Sequence, residues 1–113
     1  MTRSIIRKNV ATHPELAHIC VPRLALVYSR HALEACANRG IRELSEIAGA
    51  CVVETVETEL GRLLKLVLRV EHDETRDVVL VVVPRAGKLF VVTTWLNRKD
   101  DMHETLNRER ISA

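Results

Sequence analysis

Two stretches of the chain carry residues that can act on a substrate together. Tyr28–Ile41, YSRHALEACANRGI, places one His on the polar side of a short helix and closes with Arg39-Gly40. Phe90–Asn97, FVVTTWLN, ends a strand in hydroxyl, indole and amide groups where a core strand would stay apolar. His31 is a candidate general base, Arg39 a cation for a phosphate, and Trp95 a ring on which a base can stack. Together they are the components for deprotonating a ribose 2′-hydroxyl and neutralising the phosphate beside it. Such a cleavage needs no metal and leaves a 2′,3′-cyclic phosphate.

The spacing supports the grouping. Arg39 is eight residues after His31, about 80° round the helix and about 12 Å along it, so its long side chain can reach back towards a phosphate near His31. Simple alternation in the last strand puts Leu89, Val91, Thr93, Trp95 and Asn97 on one face, and Phe90, Val92, Thr94 and Leu96 on the other. The first set turns polar towards its end, so Thr93, Trp95 and Asn97 are read as lining a cleft, with Thr93 the site residue and Thr94 a core residue. His103, within DDMHETL, is the candidate acid that completes a pair with His31. Arg30 and Arg42 flank the helix and are read as further phosphate contacts.

Each residue also has a plainer reading. A lone His is more often a surface residue, Arg39 a solvated helix-end cation, Trp95 a core plug, and His103 incidental to a capping segment. His13, His18 and Cys20 form H-x4-H-x-C, but a fourth ligand at a familiar spacing is missing, so no metal is expected. No nucleotide-binding glycine loop, nucleophile elbow or HExxH motif is present, so no cofactor is expected.

The chain has 113 residues, of which 47% are hydrophobic and only 3% aromatic, enough for one domain with an aliphatic core. We divide it into an N-terminal arm (1–20), a core (21–97) and a polar C-terminal tail (98–113). No apolar run approaches the roughly 18 residues of a membrane span, and MTRSIIRKNV lacks the pattern of a signal peptide. Cys20, Cys36 and Cys51 are odd in number and widely spaced, which fits buried thiols in a reducing cytoplasm. The net charge of +2 conceals an asymmetry. Residues 1–42 hold seven Lys/Arg against two acids, and residues 43–83 hold four against nine. A basic end can hold a polyanion by releasing its counterions, although charge splits of this size also arise from solvation alone.

These functional stretches need a scaffold. Leu24–Tyr28 reads as a short strand, Ser29 as the cap of a helix over about 30–38, and Gly40 as its left-handed end. On a helical wheel Ala32, Leu33, Cys36 and Ala37 share the apolar side, opposite His31, Glu34 and Asn38. A second short helix is expected over about 42–49. From residue 51 the period becomes two: Cys51–Thr58, then Leu64–Glu71, in which Leu66 points inward and Lys65 outward. Asp77–Val83 is nearly continuous aliphatic and predicts a central strand covered on both faces. Leu89–Asn97 follows a hairpin at Pro84–Lys88. The expected fold is α+β, with two short N-terminal helices packed on an antiparallel sheet of about four strands.

YSRHALEACANRGI resembles the opening of small toxin-like domains whose first helix reads roughly H-A-x-x-R-x-x-x-R-G-I. The order of elements, and Thr93-x-Trp95 late in the sheet, are similar to the barnase–colicin–RelE superfamily of endoribonucleases, and to its colicin D type in particular. The resemblance spans about residues 23–97 and rests on short motifs. It implies a cytoplasmic enzyme with RNA (tRNA or mRNA) as substrate, and a cognate antitoxin or host protein as partner. The pattern's first Arg is absent, because Ala35-Cys36 stands in its place, which weakens the phosphate site unless Arg30, Arg42 or Arg85 substitutes. Members of the superfamily include uncharacterised phage- and mobile-element-encoded proteins, and TTWLNRKDDMHETL is similar to the tail of some of them. The competing reading is therefore a non-catalytic RNA- or protein-binding module on the same fold, such as a phage accessory protein. A third is a homodimer formed through an exposed edge strand.

Overall fold

The computed structural model describes residues 4–8, 23–58, 60 and 62–101. Six strands and one helix are formed among them: β1 (Ser4–Lys8), β2 (Leu26–Tyr28), α1 (Arg30–Arg39), β3 (Cys51–Thr58), β4 (Leu63–Glu71), β5 (Arg76–Arg85) and β6 (Lys88–Arg98). The strands make a single sheet in the order β1-β3-β4-β5-β6-β2. β3 to β6 form an antiparallel meander, β1 adds antiparallel to β3, and β2 adds parallel to β6.

This corrects the expected architecture of two N-terminal helices on a four-stranded antiparallel sheet. The sheet has six strands and is mixed. Ser4–Lys8, taken as part of an arm, is its edge strand. The second helix does not form over 42–49, because its backbone is committed elsewhere. Leu44 N–H donates to the Tyr28 hydroxyl at 2.9 Å, and Ser45 C=O accepts from Leu26 N–H at 3.0 Å. Glu46 bridges Ala25, and Gly49 at φ 84° turns the chain towards β3. The apolar residues of this segment still reach the core, but from an extended strap.

α1 forms where its end signals stand. The Ser29 side chain accepts from Ala32 N–H at 3.1 Å, and Gly40 closes the helix at φ 65°. Its buried residues are Ala32, Ala35 and Cys36, whereas Leu33 is 41% exposed. The buried stripe is thus rotated from the one read on the wheel, towards the side that carries His31.

The sheet is covered on both faces in its middle. The helix side holds the main core, in which Leu66, Leu68, Leu80, Val82, Leu89 and Val91 are fully buried. Cys51, Val53, Val67 and Val79 make a smaller cluster on the opposite face. β5 lies between β4 and β6, which is why its run VVLVVV is aliphatic on both sides. Arg69 is 1% exposed on the second face, where its Nε donates to Asp77 Oδ2 at 3.1 Å. Its two terminal nitrogens donate to the carbonyls of Asp101 and Arg98, at 2.6 and 2.8 Å. One buried cation thus fastens the turn after β6 onto β4. At the β4–β5 turn the Arg76 guanidinium, with Thr75 N–H, holds the exposed Asp73 carboxyl well below the usual carboxylate range.

Two outcomes follow for stability. Leu66→Asp unfolds the domain while Lys65→Asp barely moves its melting temperature, since Leu66 is 0% exposed and Lys65 faces water. Arg69→Met costs about 3–5 kcal/mol in denaturant unfolding because it removes the guanidinium that pairs with the buried Asp77 carboxylate, and a second change, Asp77→Leu, returns most of that loss.

Candidate functional site

The polar end of β6 is positioned by a β-bulge. Between Val81/Thr93 and Val82/Val91 the β5–β6 register slips by one residue, leaving Val92 as the extra residue. Before the bulge, Leu89 and Val91 point into the main core, both 0% exposed. After it, Thr94 and Leu96 point to that side, and Thr94, also 0% exposed, donates its hydroxyl to Val79 C=O at 2.8 Å. Thr93, Trp95 and Asn97 pair with Val81, Val79 and Asp77 on the other face. Phe90 pairs with Val83 and, by the parity of β5, shares that face. Uninterrupted alternation had grouped Thr93 and Trp95 with Leu89 and Val91. The bulge separates them and joins Phe90 to Thr93 and Trp95 instead.

β2 accompanies β6 only as far as Val91. Beyond that point the helix takes over. Ser29 N–H donates to Val91 C=O at 3.0 Å, and its hydroxyl to Val92 C=O at 3.4 Å. At the far end of α1, Arg39 Nη1 donates to Thr94 C=O at 2.7 Å. Both ends of the helix are therefore bonded to the same stretch of β6. Arg39 lies about 40° from Ala35 and about 20° from Ala32 on the wheel, inside the buried stripe, so its guanidinium is delivered to the strand.

His31 is exposed and lies about 40° from Ala35, at one boundary of the stripe. Leu33 lies at the other boundary, where it lines a cleft with Tyr28, Glu43 and Leu44. Burial pushes the Tyr28 hydroxyl up from its ordinary value, and burial, then Glu43, does the same to the Cys36 thiol. His31 occupies the other boundary. His31 makes no hydrogen bond or ion pair with a described residue.

Trp95 is 37% exposed, not a core plug, and Thr93 and Asn97 are half-buried. The Asn97 side-chain oxygen accepts from Arg98 N–H at 3.1 Å. Arg39 reaches only the backbone of this stretch: it bonds Thr94 C=O from the helix side, whereas the Thr93, Trp95 and Asn97 side chains lie on the opposite face of β6, so His31 and Arg39 do not share one face with them. Arg30 is not brought to them by any described contact. It pairs with Glu34 at 3.5 Å on the outer side of the helix. Arg42 lines a separate cleft of about 300 Å³ with Leu44, Val70, Glu71, His72 and Val78. His103 and the trio His13, His18 and Cys20 lie outside the described residues. Among the described residues no cluster of His, Cys, Asp or Glu is suited to a metal ion, and no helix is long and apolar enough to cross a membrane.

Two features escaped the sequence reading. Arg85 lies over the Phe90 ring, 5.9 Å from its centroid, on the face that carries Trp95. The sequence offered Arg85 only as a substitute for the resembled pattern's missing Arg, with nothing to pair it with Phe90. The Arg69–Asp77 pair had none beyond two charges in strands of aliphatic neighbours. Neither a family model, nor a curated protein, nor a solved structure matches the chain.

The Arg39–Thr94 bond joins a charged donor to a backbone carbonyl, a contact worth about 1.5–3 kcal/mol. Arg39→Ala lowers unfolding free energy by an amount in that range, and hydrogen exchange speeds up in α1 and at Thr94–Leu96 more than in β4.

Proposed function

We propose that the chain is a metal-independent endoribonuclease of the toxin-like kind, acting in the cytoplasm. The observation that carries this reading is the 2.7 Å bond from Arg39 to Thr94 C=O, which ties the helix of His31 to the strand of Thr93 and Trp95 at the edge that β2 leaves open. The resemblance of YSRHALEACANRGI and Thr93-x-Trp95 to the barnase–colicin–RelE superfamily supports it.

In this reading His31 takes the proton of a ribose 2′-hydroxyl, and the 2′-oxygen attacks the adjacent phosphorus. The bond to the 5′-oxygen breaks, and that oxygen takes a proton from His103 or water, leaving a 2′,3′-cyclic phosphate. Arg39 still has Nε–H and Nη2–H donors for the phosphate, and Thr93 offers a hydroxyl across the open edge of β6, on the opposite face. Trp95 stacks a base, and Asn97 offers its amide to the same strand of RNA. The position at which the resembled pattern carries its first Arg is Ala35, which is 5% exposed, so a cation there would face the sheet. Arg39, one turn further along the same stripe, takes that part. RNA (tRNA or mRNA) is the substrate, and a cognate antitoxin or host protein is the partner that would control it.

One observation favours a second reading, a non-catalytic RNA- or protein-binding module such as a phage accessory protein. A general base is ordinarily oriented by a hydrogen bond, and His31 has none among the described residues.

Incubation with total RNA in EDTA separates the two. Wild type cleaves and leaves cyclic-phosphate ends. His31→Ala lowers the rate by about 10²–10⁴ with little change in melting temperature, because the exposed imidazole leaves no cavity behind. Cleavage by His31→Ala at the wild-type rate overturns the mechanism, and a wild type inert on every RNA leaves the binding module.

A further inference from the structure

The bulge at Val92 does more than expose Thr93 and Trp95. It places the only Phe and the only Trp of the chain on one face of one strand. Their partners on β5, Val83 and Val79, are four residues apart, which spaces the two positions about 13 Å along the strand. Thr93 stands between them. That separation suits two bases of an extended strand with one nucleotide between, and is too wide for the bases of a stacked duplex.

The free charge of this column gathers at its Phe90 end. Residues 84–99, which make the hairpin and nearly all of β6, contain Arg85, Lys88, Arg98 and Lys99 and no Asp or Glu, but Arg98 pairs with Asp100 at 2.8 Å and Lys99 with Glu71 at 3.3 Å. Arg85 sits on the Phe90 ring, adding a planar cation at the place where a base would stack. Of the acids on this face, Asp77 is 2% exposed and bonded to Arg69, and Glu71 opposite it is paired with Lys99. The strand therefore presents two spaced stacking surfaces with Arg85 and Lys88 at one end, a combination that holds single-stranded nucleic acid independently of sequence.

We infer that the Phe90–Trp95 face of β6 is a binding track for extended single-stranded RNA, with one base on Phe90 and Arg85 and a second on Trp95. The inference rests on the proposed ribonuclease function and gives it a substrate class, unpaired RNA entering along β6. Phe90 and Arg85 are binding residues here and take no part in bond cleavage.

The single Trp makes the test direct. A 2′-O-methyl oligouridylate cannot be cleaved through the 2′-oxygen, so its binding is read apart from catalysis. Titrating it into the full chain should quench Trp95 fluorescence. Affinity should rise steeply up to about three nucleotides and level off beyond, and it should fall with salt. Phe90→Leu and Arg85→Gln should each weaken binding roughly tenfold, the effect expected of one lost stacking partner. Arg85 is exposed, so its variant folds even if Phe90→Leu loosens the hairpin, and melting curves identify that case. Unchanged affinity for Arg85→Gln, equal binding of duplex RNA, or no change in Trp95 fluorescence on saturation would each overturn the track. Equal binding of oligothymidylate would overturn the restriction to RNA. Cleavage of native RNA is scored separately, so failure of the track and failure of the nuclease reading are distinguishable.

Discussion

The extra residue at Val92 is the constraint on which the functional surface depends. A strand in strict alternation shows one set of residues to each side for its whole length. With Leu89 and Val91 buried, strict alternation would also bury Thr93 and Trp95, and would turn Thr94 and Leu96 outward. The slipped register reverses this. Apolar residues before the bulge and Thr94 and Leu96 after it all serve one core, and the opposite side collects Phe90, Thr93, Trp95 and Asn97. The bulge also falls where β2 stops and α1 begins, so the strand changes its neighbour and its register at the same place.

The second face of the sheet is organised differently from the first. The helix side is aliphatic and continuous, whereas the other has a small cluster of Cys and Val beside a buried Arg–Asp pair. Two buried charges are a poor source of net stability, but they are demanding about geometry. Arg69 has donors in three directions, and each meets an acceptor from a different part of the chain: Asp77 on β5, Arg98 at the end of β6, and Asp101 beyond it. An aliphatic residue of similar volume would fill the space without fixing where the chain leaves the sheet.

Much of this was legible in the sequence, for local reasons. Ser29 and Gly40 bound the helix because their side-chain chemistry and backbone freedom act within one turn. The period of two in residues 51–97 reports strands, since alternation is a property of the strand itself. What was not legible depended on contacts distant in the chain. Arg42–Gly49 has helical spacing, yet its backbone is satisfied by Leu26 and Tyr28. Leu24–Tyr28 reads as a strand, but nothing in it says that its neighbour is β6 or that the pair is parallel. The Val92 bulge left no glycine to mark it, so Thr93 and Trp95 were given the wrong companions on their face. Of the candidate site, the helix that carries both His31 and Arg39 was legible from its caps, whereas the bond from Arg39 to Thr94 could be seen only once the helix was docked.

The strand order has a consequence for how the chain assembles. β1 and β2 are early in the sequence, yet they occupy opposite edges of the finished sheet. Neither can find its place until the meander between them exists, and β2 and α1 rest on β6, the last strand to be synthesised. The contacts that complete the site are therefore among the most distant in sequence, a feature that slows folding. On the ribosome, the His31 helix must wait for Thr93 and Trp95 to emerge, so any activity that requires all three is withheld until the sheet is complete.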